Sequence, residues 1–174
     1  YLAAQKLLRE GDQPEGTVTG VLLHDAVAVQ DVTVHAKIVI NATGAWADAL
    51  RQQQGEKPRL RPLRGSHLVF PAWRLPVAQA VSLMHPADGR PVFVFPWEGA
   101  TLVGTTDVDH GHGMQHEAAI TPAEVAYLMA ALHYQFPALQ LTIGDVITTY
   151  AGVRPVIDTG KADPSKEGRD HAVW

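Results

Sequence analysis

Several short segments carry side chains suited to chemistry on an anionic substrate. In Gly152-Val153-Arg154-Pro155 an arginine lies between a glycine and a proline, on what reads as a stiffened turn beside bare backbone. A guanidinium there can grip carboxylate or phosphate through paired hydrogen bonds; the plainer alternative is an arginine that caps carbonyls or pairs with Asp158. Arg169-Asp170-His171 offers a second arginine, which alone reads as a solvated surface residue. A doubly charged phosphate favours two cations, so the pair counts for more than either member. Arg64-Gly65-Ser66-His67 places a histidine at the start of an apolar strand. Imidazole titrates near neutrality and can take an alcohol proton, although a histidine hydrogen-bonded within the sheet fits as well. Gly104-Thr105-Thr106-Asp107 is either the polar wall of a site or, preferred here, an Asx or ST turn. Asp107, Asp109, His110, His112, His116 and Glu117 crowd into one stretch. They contain no rigid i, i+4 pair, so they read as a solvated loop with no native metal.

These groups need a scaffold, and the totals allow one. The 174 residues are 46% hydrophobic and 18% charged, enough for a sizeable core in one domain or one and a part. The net charge of −4 provides no drive toward nucleic acid, although Lys57, Arg59, Arg61 and Arg64 form a local basic run. The absence of cysteine excludes disulfides, thiolate nucleophiles and iron–sulfur clusters from this chain. No apolar run reaches the length of a membrane span.

The expected elements follow from periodicity. Residues 1–10 read as the end of a helix stopped by Gly11. Thr17–Leu23 and Val32–Ile40 read as strands joined by a turn over Asp25–Asp31. The second of these is expected to be buried and to run into the small-residue turn Asn41-Ala42-Thr43-Gly44, followed by a short helix over Trp46–Gln53. A basic crossover with Pro58 and Pro62 divides residues 1–62 from 63–174. Beyond it, Ser66–Pro71, Ala78–Met84, Pro91–Trp97 and Thr101–Thr105 read as short antiparallel strands, the last two joined by a hairpin at Glu98-Gly99-Ala100. Thr121-Pro122-Ala123-Glu124 is a helix start with a capping box, and the stripe Val125, Leu128, Met129, Leu132 packs that helix on the sheet. Val146–Tyr150 reads as a strand, Ile157–Gly168 as a polar loop, and Arg169–Trp174 as the start of another strand. The fold class is α+β: an antiparallel sheet with a packed helix, plus the tail of an α/β domain.

Taken in order, Ile-Asn-Ala-Thr-Gly-Ala-Trp (40–46), Arg-Gly-Ser-His (64–67), Val-Phe-Pro-Trp (94–97), Val-Gly-Thr-Thr-Asp (103–107) and Gly-Val-Arg-Pro (152–155) resemble the FAD-dependent, quinone-linked glycerol-3-phosphate dehydrogenases of the D-amino-acid-oxidase-like fold. The resemblance implies that Asn41, Ala42, Thr43 and Gly44 lie on the nucleotide side of FAD, and that residues 63–174 form the substrate domain. It implies that Arg154 and Arg169 hold the substrate phosphate and that His67 takes the hydroxyl proton while hydride passes to the flavin. It also implies a quinone acceptor and a cytoplasmic location, peripheral at the inner face of the membrane. No Gly-x-Gly-x-x-Gly loop opens the chain, and Ala45 stands where the family often has proline. The chain is therefore expected to be an internal fragment, inactive and empty of FAD by itself, with an exposed sheet edge that favours a homodimer. Two other readings stay open: an oxidase of the same fold acting on an amine or 2-hydroxy acid, and a non-catalytic module that binds a phosphorylated ligand.

Overall fold

The computed structural model describes residues 1–13, 15–111 and 113–173. The chain is α+β and divides into two compact units, Tyr1–Leu60 and Arg61–Trp174.

The first unit is a three-stranded antiparallel sheet, β1 (Leu2–Arg9), β2 (Val18–Asp25) and β3 (Gln30–His35), followed by a short helix, α1 (Ala47–Gln52). Two sequence expectations are corrected here. Residues 2–9 are a strand, not the end of a helix: pairing with β2 along their whole length outweighs a weak helical preference. The predicted strand Val32–Ile40 stops at His35. Backbone groups extend a strand only where a neighbour satisfies them, and no described strand pairs with Ile38-Val39-Ile40, whose Ile38 and Ile40 side chains are exposed rather than buried. The expected turn between β2 and β3 does form, with Asp25 Oδ1 accepting the amides of Val27 and Ala28.

The second unit is built on β4 (Leu60–Pro71), β5 (Val81–Met84), β6 (Pro91–Trp97), β7 (Ala100–Gly104), β8 (Val108–Asp109) and β9 (Thr148–Ile157). Its order is β5-β6-β7-β4-β8, with β9 also pairing with β4. The β6–β7 hairpin turns on Glu98 and Gly99, both at positive φ (46° and 83°), the backbone a two-residue type I′ turn requires. The helix α2 (Pro122–Gln135) carries the expected capping box between Thr121 and Glu124. Leu128, Met129 and Leu132 pack on Leu68, Phe70, Val92, Val94 and Val103 of the sheet to form the core. No described helix is long and apolar enough to cross a membrane.

Side chains along β4 alternate between the two faces of the sheet. Arg64, Ser66, Leu68 and Phe70 are all buried on the α2 side. Arg64 bonds Glu124 at 2.8 Å, and the same carboxylate accepts from Ser66 (2.8 Å), Thr106 (2.7 Å) and Thr121 (2.8 Å). Gly65 and His67 lie on the opposite face.

Two more corrections concern the C-terminal part. Gly152-Val153-Arg154-Pro155 is not a turn but lies within β9. Proline lacks only the amide donor and is accommodated at a strand position that does not need one. Residues 169–173 are irregular rather than a strand. Trp174 lies outside the described residues, as does His112 of the histidine-rich loop.

Candidate active site

The face of the sheet away from α2 gathers the candidate residues of the second unit. Two-residue periodicity in β9 puts Tyr150, Gly152 and Arg154 on one side, and in β4 it does the same for Gly65 and His67. Tyr150 stacks on His67 with ring centroids 4.5 Å apart and planes 8° from parallel. His67 is paired in register with Gly104 of β7. A Cβ added to Gly104 would run into the imidazole, and one added to Gly65 would meet Arg154 Nη2 at 2.7 Å and Thr105 Oγ1 at 2.6 Å. Both glycines are thus sites of close approach, one seating the imidazole and the other the guanidinium.

The two predicted arginines meet on one carboxylate. Arg154 Nη2 donates to Asp107 Oδ1 at 2.8 Å and to the carbonyl oxygen of Thr106 at 2.9 Å. Arg169 Nη2 donates to Asp107 Oδ2 at 2.7 Å, and Arg90 Nη2 lies 3.4 Å from the same oxygen. Asp107 is only 3% exposed, whereas the Arg169 side chain is half exposed. The loop leading to Arg169 is tied down by the buried carboxylate of Glu167, which accepts from Thr159 Oγ1 (2.5 Å), the Lys161 amide (3.1 Å) and Arg61 (3.3 Å).

Electrostatics separate the roles of these groups. Burial, and then the positive charge of Arg154, push the His67 imidazole below its ordinary value, which favours its neutral form. Burial also lowers the Arg154 guanidinium; Asp107 opposes this, and Arg169 and Arg90 add to it. His67 Nδ1 and Arg154 Nε are both buried without a hydrogen-bond partner among the described residues. A buried unpaired polar atom is costly unless a ligand answers it.

Asn41, Ala42, Thr43 and Gly44 belong to the first unit. Asn41 Oδ1 accepts from the Thr43 hydroxyl at 2.9 Å and amide at 3.3 Å, and Asn41 Nδ2 donates to the Ala47 carbonyl at 2.8 Å. These bonds fix a tight turn whose apex, Gly44, has φ +60° and nothing within 4 Å of where a Cβ would stand. Ala42 and Gly44 are exposed.

Sequence reasoning missed Arg90 and Tyr150 and undervalued Asp107. The spacing Tyr150-x-Gly152-x-Arg154 did carry a signal, since it is what a strand needs to present both side chains beside a gap. Nothing local marked Arg90. Among the described residues no group of three His, Asp or Glu side chains is arranged to hold a metal.

A family model described as FAD dependent oxidoreductase matches residues 4–169. The chain belongs to the FAD dependent oxidoreductase family. Over its whole length it is 37% identical to the aerobic glycerol-3-phosphate dehydrogenase of Bacillus subtilis, of which it spans 31%. It is 37% identical over 160 residues to the alpha-glycerophosphate oxidase of Enterococcus casseliflavus, covering 89% of this chain and 26% of that one. The structure of the glycerol-3-phosphate dehydrogenase from Bacillus halodurans complexed with FAD superimposes with a TM-score of 0.82 at 36% identity, over 91% of this chain and 31% of the other. The chain thus spans about a third of the length of these relatives.

Proposed function

We propose that the protein bearing this chain oxidises sn-glycerol 3-phosphate to dihydroxyacetone phosphate with FAD as its cofactor. The observation that carries this reading is the convergence of Arg154 and Arg169 on Asp107, close to His67, in a chain similar to named glycerol-3-phosphate dehydrogenases.

The residues fit the cofactor. The tied turn of Asn41–Gly44 leaves Ala42 and Gly44 open, the backbone a nucleotide needs for close approach, and these four residues would hold the nucleotide part of FAD. When bound, FAD supplies the acceptor for the hydride of the substrate's secondary carbinol. The chain's own residues do the rest. Arg154 and Arg169 hold the phosphate through charge-assisted hydrogen bonds, which fixes the position of the carbinol carbon. His67 accepts the hydroxyl proton as the carbonyl forms, and Tyr150 holds the imidazole by stacking on its face. In domain terms, residues 1–62 belong to the FAD-binding domain and 63–174 to the substrate domain.

We assign a quinone as the final electron acceptor and place the protein in the cytoplasm at the inner membrane face, both from the family resemblance. A homodimer formed along an open sheet edge accompanies this reading. The test uses the full-length protein and a redox dye. Glycerol 3-phosphate is expected to reduce the dye, whereas glycerol, lactate and glycine are not. Turnover of lactate or glycine in preference to glycerol 3-phosphate would assign Arg154 to a carboxylate and overturn the proposal.

A further inference from the structure

Asp107 poses a physical problem for an anion site. A buried carboxylate beside the arginines that receive a phosphate subtracts attraction exactly where attraction is needed. Its geometry suggests what it contributes instead. Its two oxygens engage different arginines, Oδ1 taking Arg154 at 2.8 Å and Oδ2 taking Arg169 at 2.7 Å, with Arg90 3.4 Å from Oδ2. The two arginines come from different places, Arg154 from β9 and Arg169 from the irregular segment after the loop. Arginine side chains carry large rotamer entropy, which is lost when they are ordered on a ligand. Each reaches Asp107 through Nη2, and Arg154 Nε stays buried and unpaired, so the anchoring leaves donors for a ligand. Three guanidiniums and one carboxylate leave a net charge of +2, the complement of a phosphate monoester dianion.

We propose that Asp107 is a positioning residue that holds Arg154 and Arg169 side by side before the ligand arrives, making them one preformed dianion seat. The inference rests on the phosphate reading above and deepens it. Preorganisation strengthens binding by removing an ordering cost that the ligand would otherwise meet.

The experiment turns on a sign. Inorganic phosphate binding to the full-length holoprotein is measured by calorimetry for wild type and Asp107→Asn at pH 7.5. Asparagine keeps the shape and removes the negative charge, so simple electrostatics demands tighter binding. Positioning demands weaker binding, and we expect a loss of about tenfold, the equivalent of roughly one charged hydrogen bond's worth of ordering. Equal or tighter binding by a folded Asp107→Asn overturns the inference and leaves the phosphate reading intact. Failure of wild type to bind phosphate overturns the phosphate reading itself. Should the variant not fold, wild type still decides. Nitrogen-15 spectra of the phosphate-free protein are expected to show separate, slowly interconverting Nη signals for Arg154 and Arg169. Averaged signals typical of free guanidiniums would overturn the inference.

Discussion

His67 is the residue whose environment says most about its use. Burial and the Arg154 charge hold its imidazole below the ordinary value, and Tyr150 and Gly104 leave the ring little freedom. The sign of its pH effect follows directly. A base must be unprotonated, so its contribution is present above its depressed value and lost as pH falls through it. Phosphate monoesters take up a proton near pH 6, so two ionisations act on the acid side of kcat/KM with glycerol 3-phosphate. The expected profile falls with a slope of two at low pH in wild type. In His67→Gln the slope is one, with the plateau about 10²–10⁴-fold lower. An unchanged slope in the variant would remove His67 from the proton path.

At the scale of the element, the site is a product of strand alternation. β4 presents Gly65 and His67 to one face, β9 presents Tyr150 and Arg154, and Gly104 of β7 sits under the imidazole. Replacing Gly104 with alanine forces the ring off its seat, because the new methyl would occupy the space of the imidazole. Gly104→Ala is expected to lower kcat by at least about tenfold, the cost of small misplacement at a reacting centre, while KM for glycerol 3-phosphate changes little because the arginines are untouched. Steady-state kinetics separates the two quantities. This is also where the sequence stopped being legible. The Thr121 capping box, the β6–β7 hairpin and the hydrophobic stripe of α2 are local signals, written in adjacent residues, and they appear as expected. The strand at residues 2–9 and the loss of strand at 38–40 depend on which neighbour is available, and periodicity carries no record of that. For the same reason Arg154 was readable as an anion-binding candidate, but its seat inside β9 and its partnership with Asp107, 47 residues away, were not.

For the molecule as a whole, the Glu124 cluster joins helix to sheet. Burial by itself would raise the Glu124 carboxyl, but hydrogen bonds from Arg64, Thr106 and Thr121 outweigh it and bring the group down to about 2. A carboxyl depressed in the folded state stabilises above its unfolded value, which is 4.5, and that stabilisation is lost as pH falls through the folded one. Between pH 4.5 and 2 the second unit is expected to lose stability progressively. Glu124→Ala leaves Arg64 buried and unpaired and should cost about 3–5 kcal/mol at neutral pH. It should also flatten the acid dependence, as read by urea melts across pH.

The partition of β4 reaches beyond any single substitution. Neighbouring positions on this one strand meet different surroundings: one parity feeds the joint between helix and sheet, the other the floor of the proposed site. Tolerance to replacement along residues 64–68 is therefore expected to beat every second position. Under the proposed function, damage at 64, 66 and 68 is expected to register as lost protein, and damage at 65 and 67 as lost turnover in protein that persists. An engineer can harden one parity against heat without touching the chemistry of the other.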